Sequence, residues 1–530
     1  MKTSFLTVFL CTCFHFVFAQ SVDPAKKYAS LITLENLKKH LTIIASDEME
    51  GRETGTTGQR KAAAYIEGQF KAMGLKSTAA LNGYQQLYPL HKSSMKKSLL
   101  KLDNKELTYG TDYYVPVIYN ADKKITADKF VFAGYGISDT AYDDYKELDV
   151  KGKVVVILLG EPKSGDNYLL TGTDTYSKYT YPGVTNKIQI AKEKGAVAAV
   201  IINPSMEFVN SSIANANSKS DTYYPTKSEA EGLDHMIISH KIVNDFFTEW
   251  PMDSLIGMAK SYAAFSAVSL PGITMPYSFE YKKEKVVTNA SNVLGIIEGT
   301  DKKEEYVFLT AHYDHLGIKN GKIYYGADDD GSGTCAVINM ARAFAKAKAD
   351  GKGPRRTMVF MTVSGEEKGL WGSKYYTDHP VFPLDKTSVD LNIDMVGRID
   401  TERKTSDSLN YVYVIGHNKL SSELPAIIEG ANKKYTSLAL DYKYDDPKDD
   451  QRIFYRSDHY NFARKGVPIL FFYDGMLRAD YHKPTDTIDE INWELYEKRV
   501  RMIFYTAWEM ANRNDMLKRD VPLPLEDEDD

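Results

Sequence analysis

The chain has 530 residues, 43% of them hydrophobic and 26% charged, an ordinary balance for a soluble globular protein. The formal net charge is −6 and no long basic block occurs, which argues against a nucleic-acid partner. The length exceeds one ordinary core and predicts about two or three domains.

Lys2 precedes an apolar run from Phe5 to Phe18 that closes on Val17-Phe18-Ala19 before Gln20. This pattern predicts a secretory signal peptide over residues 1–19, cleaved after Ala19, and hence a secreted or periplasmic protein. The run is too short for a membrane span, and no later stretch approaches that length. Leu10-Cys11-Thr12 is a poor lipobox, so a lipid anchor on Cys13 is not expected. Cleavage would leave Cys335 alone, with no internal disulfide available, so stability falls to the core or to metal.

Apolar residues at Leu31, Leu34, Leu37, Leu41 and Ile44 recur at helical spacing. A loop with three glycines, Met49 to Gly58, leads to a second helix through Ala62, Ala63, Tyr65, Ile66, Phe70 and Met73, closed by Gly74. Residues 80–110 alternate weakly and predict strands. From about Lys129 the texture changes. Phe130 to Gly136 and Lys153 to Gly160 read as strands, and a helix over 186–195 leads into Ala196-Val197-Ala198-Ala199-Val200-Ile201-Ile202. Gly152-Lys153-Val154-Val155-Val156, followed by Lys187, Ala191, Gly195-Ala196 and Val200-Ile201-Ile202, resembles the protease-associated domain. That resemblance implies a β-rich insert over 125–280 without catalytic residues, shaping access to a neighbouring peptidase.

After about Val286 strands and helices alternate. Strands are predicted over 292–297, 306–310, 357–363, 389–395, 411–415 and 467–472, and helices over 333–349, 420–434 and 493–512. The alternation predicts an α/β fold, a mostly parallel mixed sheet sandwiched by helices. Ligand sites in such sheets gather at the carboxyl ends of the strands. The catalytic part is therefore expected over 20–124 and 281–517, followed by an acidic tail over 518–530.

Six polar segments fall at those strand ends. The first is Ala311-His312-Tyr313-Asp314-His315-Leu316-Gly317, which closes a buried strand with two imidazoles and a carboxylate. Unpaired ionisable groups are costly to bury, and a metal would give them a purpose. His312 would be a neutral nitrogen ligand, and Asp314, on the same face of extended chain, would hold its ring from behind. The second, Gly326-Ala327-Asp328-Asp329-Asp330-Gly331-Ser332-Gly333, is read alone as acids at a helix start. The third is Ser364-Gly365-Glu366-Glu367, whose adjacent acids point in different directions. The fourth is Asp394 inside the apolar Asn392 to Gly397, where a carboxylate requires a metal or a buried donor. Tyr455-Arg456-Ser457-Asp458-His459 and Tyr481-His482-Lys483-Pro484 complete the set. His482 taken singly reads as an ordinary loop histidine. Together the donors are oxygen and imidazole without thiol, which suits zinc, and they exceed one tetrahedral site and fit two metals sharing a carboxylate.

This ordered set resembles the di-zinc exopeptidase family that includes bacterial leucyl aminopeptidase, glutamate carboxypeptidase II and the transferrin receptor ectodomain. The resemblance implies two Zn2+ per chain. His312 and Asp394 would bind one and Glu367 and His482 the other, with Asp329 bridging. It implies Asp314 as the residue orienting His312, Glu366 as general base and Tyr455 as oxyanion donor. Asp328 and Asp330 stand where the family often has Asn. The activity so implied is an aminopeptidase acting on peptides with a free N-terminus. Alternatives are a carboxypeptidase, with Arg398, Arg452 or Arg456 meeting a substrate carboxylate; a glutaminyl cyclase on the same fold, which needs one zinc; and a catalytically inactive receptor-like ectodomain, which would have lost ligands.

Overall fold

The computed structural model describes residues 23–523 apart from 118–119, 181–183, 221–223, 225–231, 266–269, 407–408 and 447. The expected signal peptide and the last residues of the expected acidic tail lie outside the described residues. Two compact units are formed. One takes in the chain up to Tyr88 and from Ala290 onward, and the other is Pro89–Asn289.

In the first unit the sheet runs in the order Ala439–Asp441, Tyr411–Ile415, Ile469–Tyr473, Thr387–Ile393, Lys302–His312, Arg356–Val363 and the end of Ile273–Ile297. The three central strands and Ile469–Tyr473 are mutually parallel. Tyr411–Ile415 runs antiparallel to Ile469–Tyr473 and parallel to Ala439–Asp441, and the end of Ile273–Ile297 runs antiparallel to Arg356–Val363. The central strands are apolar runs because helices cover both of their faces. Arg356–Val363 and Thr387–Ile393 are buried throughout.

The helices follow local signals. Leu34–Ile44 starts where the Thr33 hydroxyl accepts from the Asn36 amide, and it buries Leu37, His40, Leu41 and Ile44. Leu31 therefore precedes the helix. Thr57–Ala72 is capped by Thr56, buries Ala62, Ala63, Ile66 and Phe70, and ends before Gly74 at φ +74°. Gly333–Ala349 and Trp493–Asn512 pack Phe344 against Phe504 and Trp508. A buried Phe of this kind stabilises the fold by roughly 1.5–3 kcal/mol.

The second unit carries strands of its own. The beginning of Ile273–Ile297 pairs antiparallel with Lys123–Phe132, and parallel strands Val154–Leu158, Ala198–Ile202 and His235–Ile238 follow, with Tyr113–Tyr114 antiparallel at the far edge. Val154, Val156 and Leu158 enter one hydrophobic cluster, and Val155 and Ile157 the other. That division is the two-residue period of an extended chain, and it explains why the whole run is apolar. The helix Thr185–Glu193 comes two residues before Gly195, whose φ is +88°. No helix among the described residues is long and apolar enough to cross a membrane.

Candidate metal centre

Parallel register brings the polar segments together. His312 is level with Val363, and Thr310 with Asn392, so Ser364–Glu367 and Asp394 emerge on either side of His312 at one edge of the sheet. His312 Nε2 lies 3.2 Å from Asp329 Oδ1, 3.5 Å from Asp394 Oδ1 and 3.8 Å from Glu366 Oε2. A second group sits beside it: His482 Nε2 is 3.2 Å from Asp329 Oδ2 and 2.9 Å from Glu367 Oε2. Asp329 thus turns one oxygen to each group.

The three consecutive aspartates separate by what they bond. Asp330 accepts from the amides of Gly333, Met395 and His312. Asp328 accepts from the Gly397 amide. Both tie the loop to its neighbours, while Asp486 accepts the amides of Asp328 and Asp329 and leaves the Asp329 carboxylate directed into the cluster. The peptide between Asp329 and Asp330 is cis.

Asp314 lies behind the His312 ring, but the nearest contact of Nδ1 is the Asp314 backbone oxygen at 3.1 Å, with the carboxylate at 3.7 Å. That carboxylate accepts from the Thr54 hydroxyl at 2.6 Å and from the Glu366 amide at 3.3 Å, so it also holds the Glu366 backbone. Arg52, fully buried, donates to the carbonyls of Tyr313, Ile44, Tyr325 and Gly326. His315 is buried with Nδ1 at 2.6 Å from Glu367 Oε1. Sequence reasoning assigned none of these three a role. His315 stood in the opening motif, whereas nothing in the spacing of Arg52 and Thr54 marks a contact made some 260 residues away.

Over the first group opens a pocket of about 30 Å³ whose wall includes Asp329, Glu366, Asp394, Met395, Arg456, Tyr473, Leu477 and Tyr481. Tyr455 is not on that wall; its ring stands edge-on to Tyr460 and lies under the Arg452 guanidinium. The Tyr481 oxygen accepts from Arg456 Nη2 at 3.1 Å, and its ring stacks on His482 at 3.9 Å. Of the three arginines weighed for substrate carboxylate, Arg456 lines the pocket, and Arg398 is buried against Asp480.

The electrostatics call for cations. Burial opposes a charge on His312, but the carboxylates of Asp394, Glu366 and Asp329 outweigh it and hold its proton well above the ordinary range. Burial likewise opposes ionisation of Asp329, yet His312 and His482 hold it well below the ordinary range. Burial, with Asp394 and Glu367 nearby, pushes Glu366 well up. His312 Nε2, Asp329 Oδ2 and Glu367 Oε1 are buried without an aligned hydrogen bond. Groups His312, Asp329, Asp394 and His315, Asp329, Glu367 each bring donors within 4.8 Å of one another. A buried, anion-rich set of imidazole and carboxylate donors with unmatched lone pairs fits zinc.

Residues 292–507 match peptidase family M28, and residues 115–234 match the PA domain. Aminopeptidase YwaD of Bacillus subtilis (strain 168) is 27% identical over 240 residues, covering 44% of this chain and 47% of that protein. Probable glutamate carboxypeptidase LAMP1 of Arabidopsis thaliana is 23% identical over 376 residues, 64% of this chain and 51% of that protein. The chain thus spans about half the length of these curated relatives. The solved aminopeptidase from Aneurinibacillus sp. strain AM-1 shares the fold at a TM-score of 0.50 and 18% identity, covering 95% of this chain and 98% of that one. Over residues 292–507 the chain is thus similar to peptidases of family M28, and over residues 115–234 to PA domains.

Proposed function

We propose that this protein is an exported di-zinc aminopeptidase that removes N-terminal residues from peptides. The observation that carries the reading is Asp329, whose two oxygens face two separate sets of donors beside one pocket. His312 and Asp394 would hold one zinc, Glu367 and His482 the other, with Asp329 shared. Bound zinc supplies Lewis acidity, polarising a carbonyl and bringing the pKa of water towards neutrality.

The chain's own residues supply the rest. Glu366 stands on the pocket wall, where it takes a proton from the attacking water and passes it to the leaving amine. The oxyanion donor we assign is Tyr481 rather than Tyr455. Arg456 donates to the Tyr481 oxygen, which leaves the hydroxyl proton for a developing negative charge. Asp394 and Glu366 offer negative charge to a substrate ammonium. Export rests on the N-terminal sequence pattern, and N-terminal sequencing of the mature protein should begin at Gln20.

Arg456 favours one second reading, a carboxypeptidase, because it places a cation on the pocket wall where a substrate carboxylate would be met. Two sets of donors count against a one-zinc cyclase, and their retention counts against a receptor without activity. A peptide pool with free, acetylated and Gln N-termini, incubated with zinc-loaded protein and read by mass spectrometry, separates these readings. Stepwise N-terminal loss from unblocked peptides alone is expected. C-terminal trimming would establish the carboxypeptidase, ammonia loss from Gln peptides the cyclase, and an unchanged pool would refute peptidase action on this range.

A further inference from the structure

We propose that the two cation sites are unequal: His315 closes the second with a fourth protein group, whereas the first stays open to the pocket. This rests on the di-zinc reading above and adds a division of labour to it.

His315 belongs to no part of the mechanism so far, yet its ring is fully buried and neither nitrogen makes an aligned hydrogen bond. A buried imidazole left in that state is costly unless something else takes its lone pair. Nδ1 lies 2.6 Å from Glu367 Oε1 and 3.8 Å from Asp329 Oδ2, and the ring stands edge-on to His482 with centroids 5.8 Å apart. The backbone is shaped to admit it. A Cβ at Gly326 would come within 2.5 Å of the His315 ring and 2.2 Å of the Asp329 carbonyl.

His315, Asp329 and Glu367 bring donor atoms within 4.8 Å of one another, and His482 Nε2 reaches the same Asp329 and Glu367, so the second site would have two imidazoles and two carboxylates to draw on. Zinc so enclosed is held as in structural sites, while catalytic sites keep a position free. The first group has three donors, His312, Asp329 and Asp394. The pocket wall agrees with this division: it carries Asp329, Asp394 and Glu366 but not His315, Glu367 or His482. The metal of the second site should therefore be the slower to leave, and that of the first the one that meets substrate.

The test is zinc retention. Full-length zinc-loaded protein is dialysed against graded dipicolinate, and the zinc remaining is measured by mass spectrometry. Two steps are expected, one equivalent leaving at low chelator and the other persisting. His315→Ala should weaken the persistent equivalent beyond the roughly 10–100-fold seen when only a partner outside the coordination sphere is lost. Asp394→Ala should remove the first equivalent and spare the persistent one. Should His315→Ala not fold, wild type and Asp394→Ala still decide. Two equivalents leaving together from wild type would overturn the inequality while leaving two zincs in place. An effect of His315→Ala within about 100-fold would overturn the fourth-group assignment. Wild type that binds no zinc would overturn the di-zinc reading itself.

Discussion

Replacing Arg52 by Met strips the donors from four buried carbonyls, those of Tyr313, Ile44, Tyr325 and Gly326, which receive hydrogen bonds of 2.7–2.9 Å. A buried acceptor left without a partner costs about 1–3 kcal/mol, so the four together cost at least about 4 kcal/mol. That is a large share of the roughly 5–15 kcal/mol that holds a native protein together. The same carbonyls flank His312 and the aspartate loop, so the loss should also displace metal donors. Arg52→Lys separates the two effects. It keeps the charge but offers three donors from one point in place of a planar fork with five. It should cost about 1–2 kcal/mol and weaken zinc binding about 10–100-fold, the usual effect of disturbing groups behind metal ligands. Urea denaturation of the zinc-free protein measures the first quantity and competition with a fluorescent chelator the second. If Arg52→Lys kept wild-type zinc affinity and Arg52→Met lost less than about 1 kcal/mol, Arg52 would not be stapling the aspartate loop in place.

Three further outcomes follow from the geometry. Glu366→Gln should retain its zinc and lose about 10²–10⁴-fold in kcat, checked by metal analysis beside steady-state kinetics. Tyr481→Phe should lower kcat about 10²–10³-fold with KM little changed, while Tyr455→Phe stays within a few-fold; equal effects would return the donor role to Tyr455. In the second unit, His235 is buried and its pKa is lowered to about 4 by burial. The unfolded chain therefore binds a proton below about 6.5 that the folded chain refuses, and stability falls as pH drops through that window. From pH 6.5 to 5 this is about 1.6 kcal/mol, because the unfolded imidazole is only half protonated at pH 6.5 and the full slope of 1.36 kcal/mol per pH unit is reached below it. Hydrogen exchange at Ala198–Ile202, corrected for intrinsic rates, should show a loss of that size in wild type and a smaller one in His235→Gln.

The sheet was legible because its strands are apolar runs broken by polar segments, and a buried strand that ends in His312 or runs out into Asp394 announces a site, although that second strand stops at Ile393 and not at 395. The periods of the helices placed their buried faces, although Leu31 fell outside Leu34–Ile44 because Thr33 sets the start. Side-chain direction in the loops was not legible. Tyr455 and Tyr481 both flank histidine-bearing motifs, and the difference between them lies in tertiary packing. His482 has φ +56°, a left-handed backbone that no periodic pattern encodes, and Tyr481 just before it stacks on its ring. Thr54 and Arg52 were invisible for another reason: their partners are distant in sequence, and a glycine-rich loop carries no periodicity to argue from.

The separation of the donors along the chain has a consequence for biosynthesis. His312 opens the cluster and His482 completes it, and the strands and helices between them must pair before the two can meet. Such long-range closure comes late and slowly in folding. A ribosome-bound chain that has not yet emerged through His482 has no complete catalytic centre. The two donor sets are therefore both present only once synthesis has passed His482.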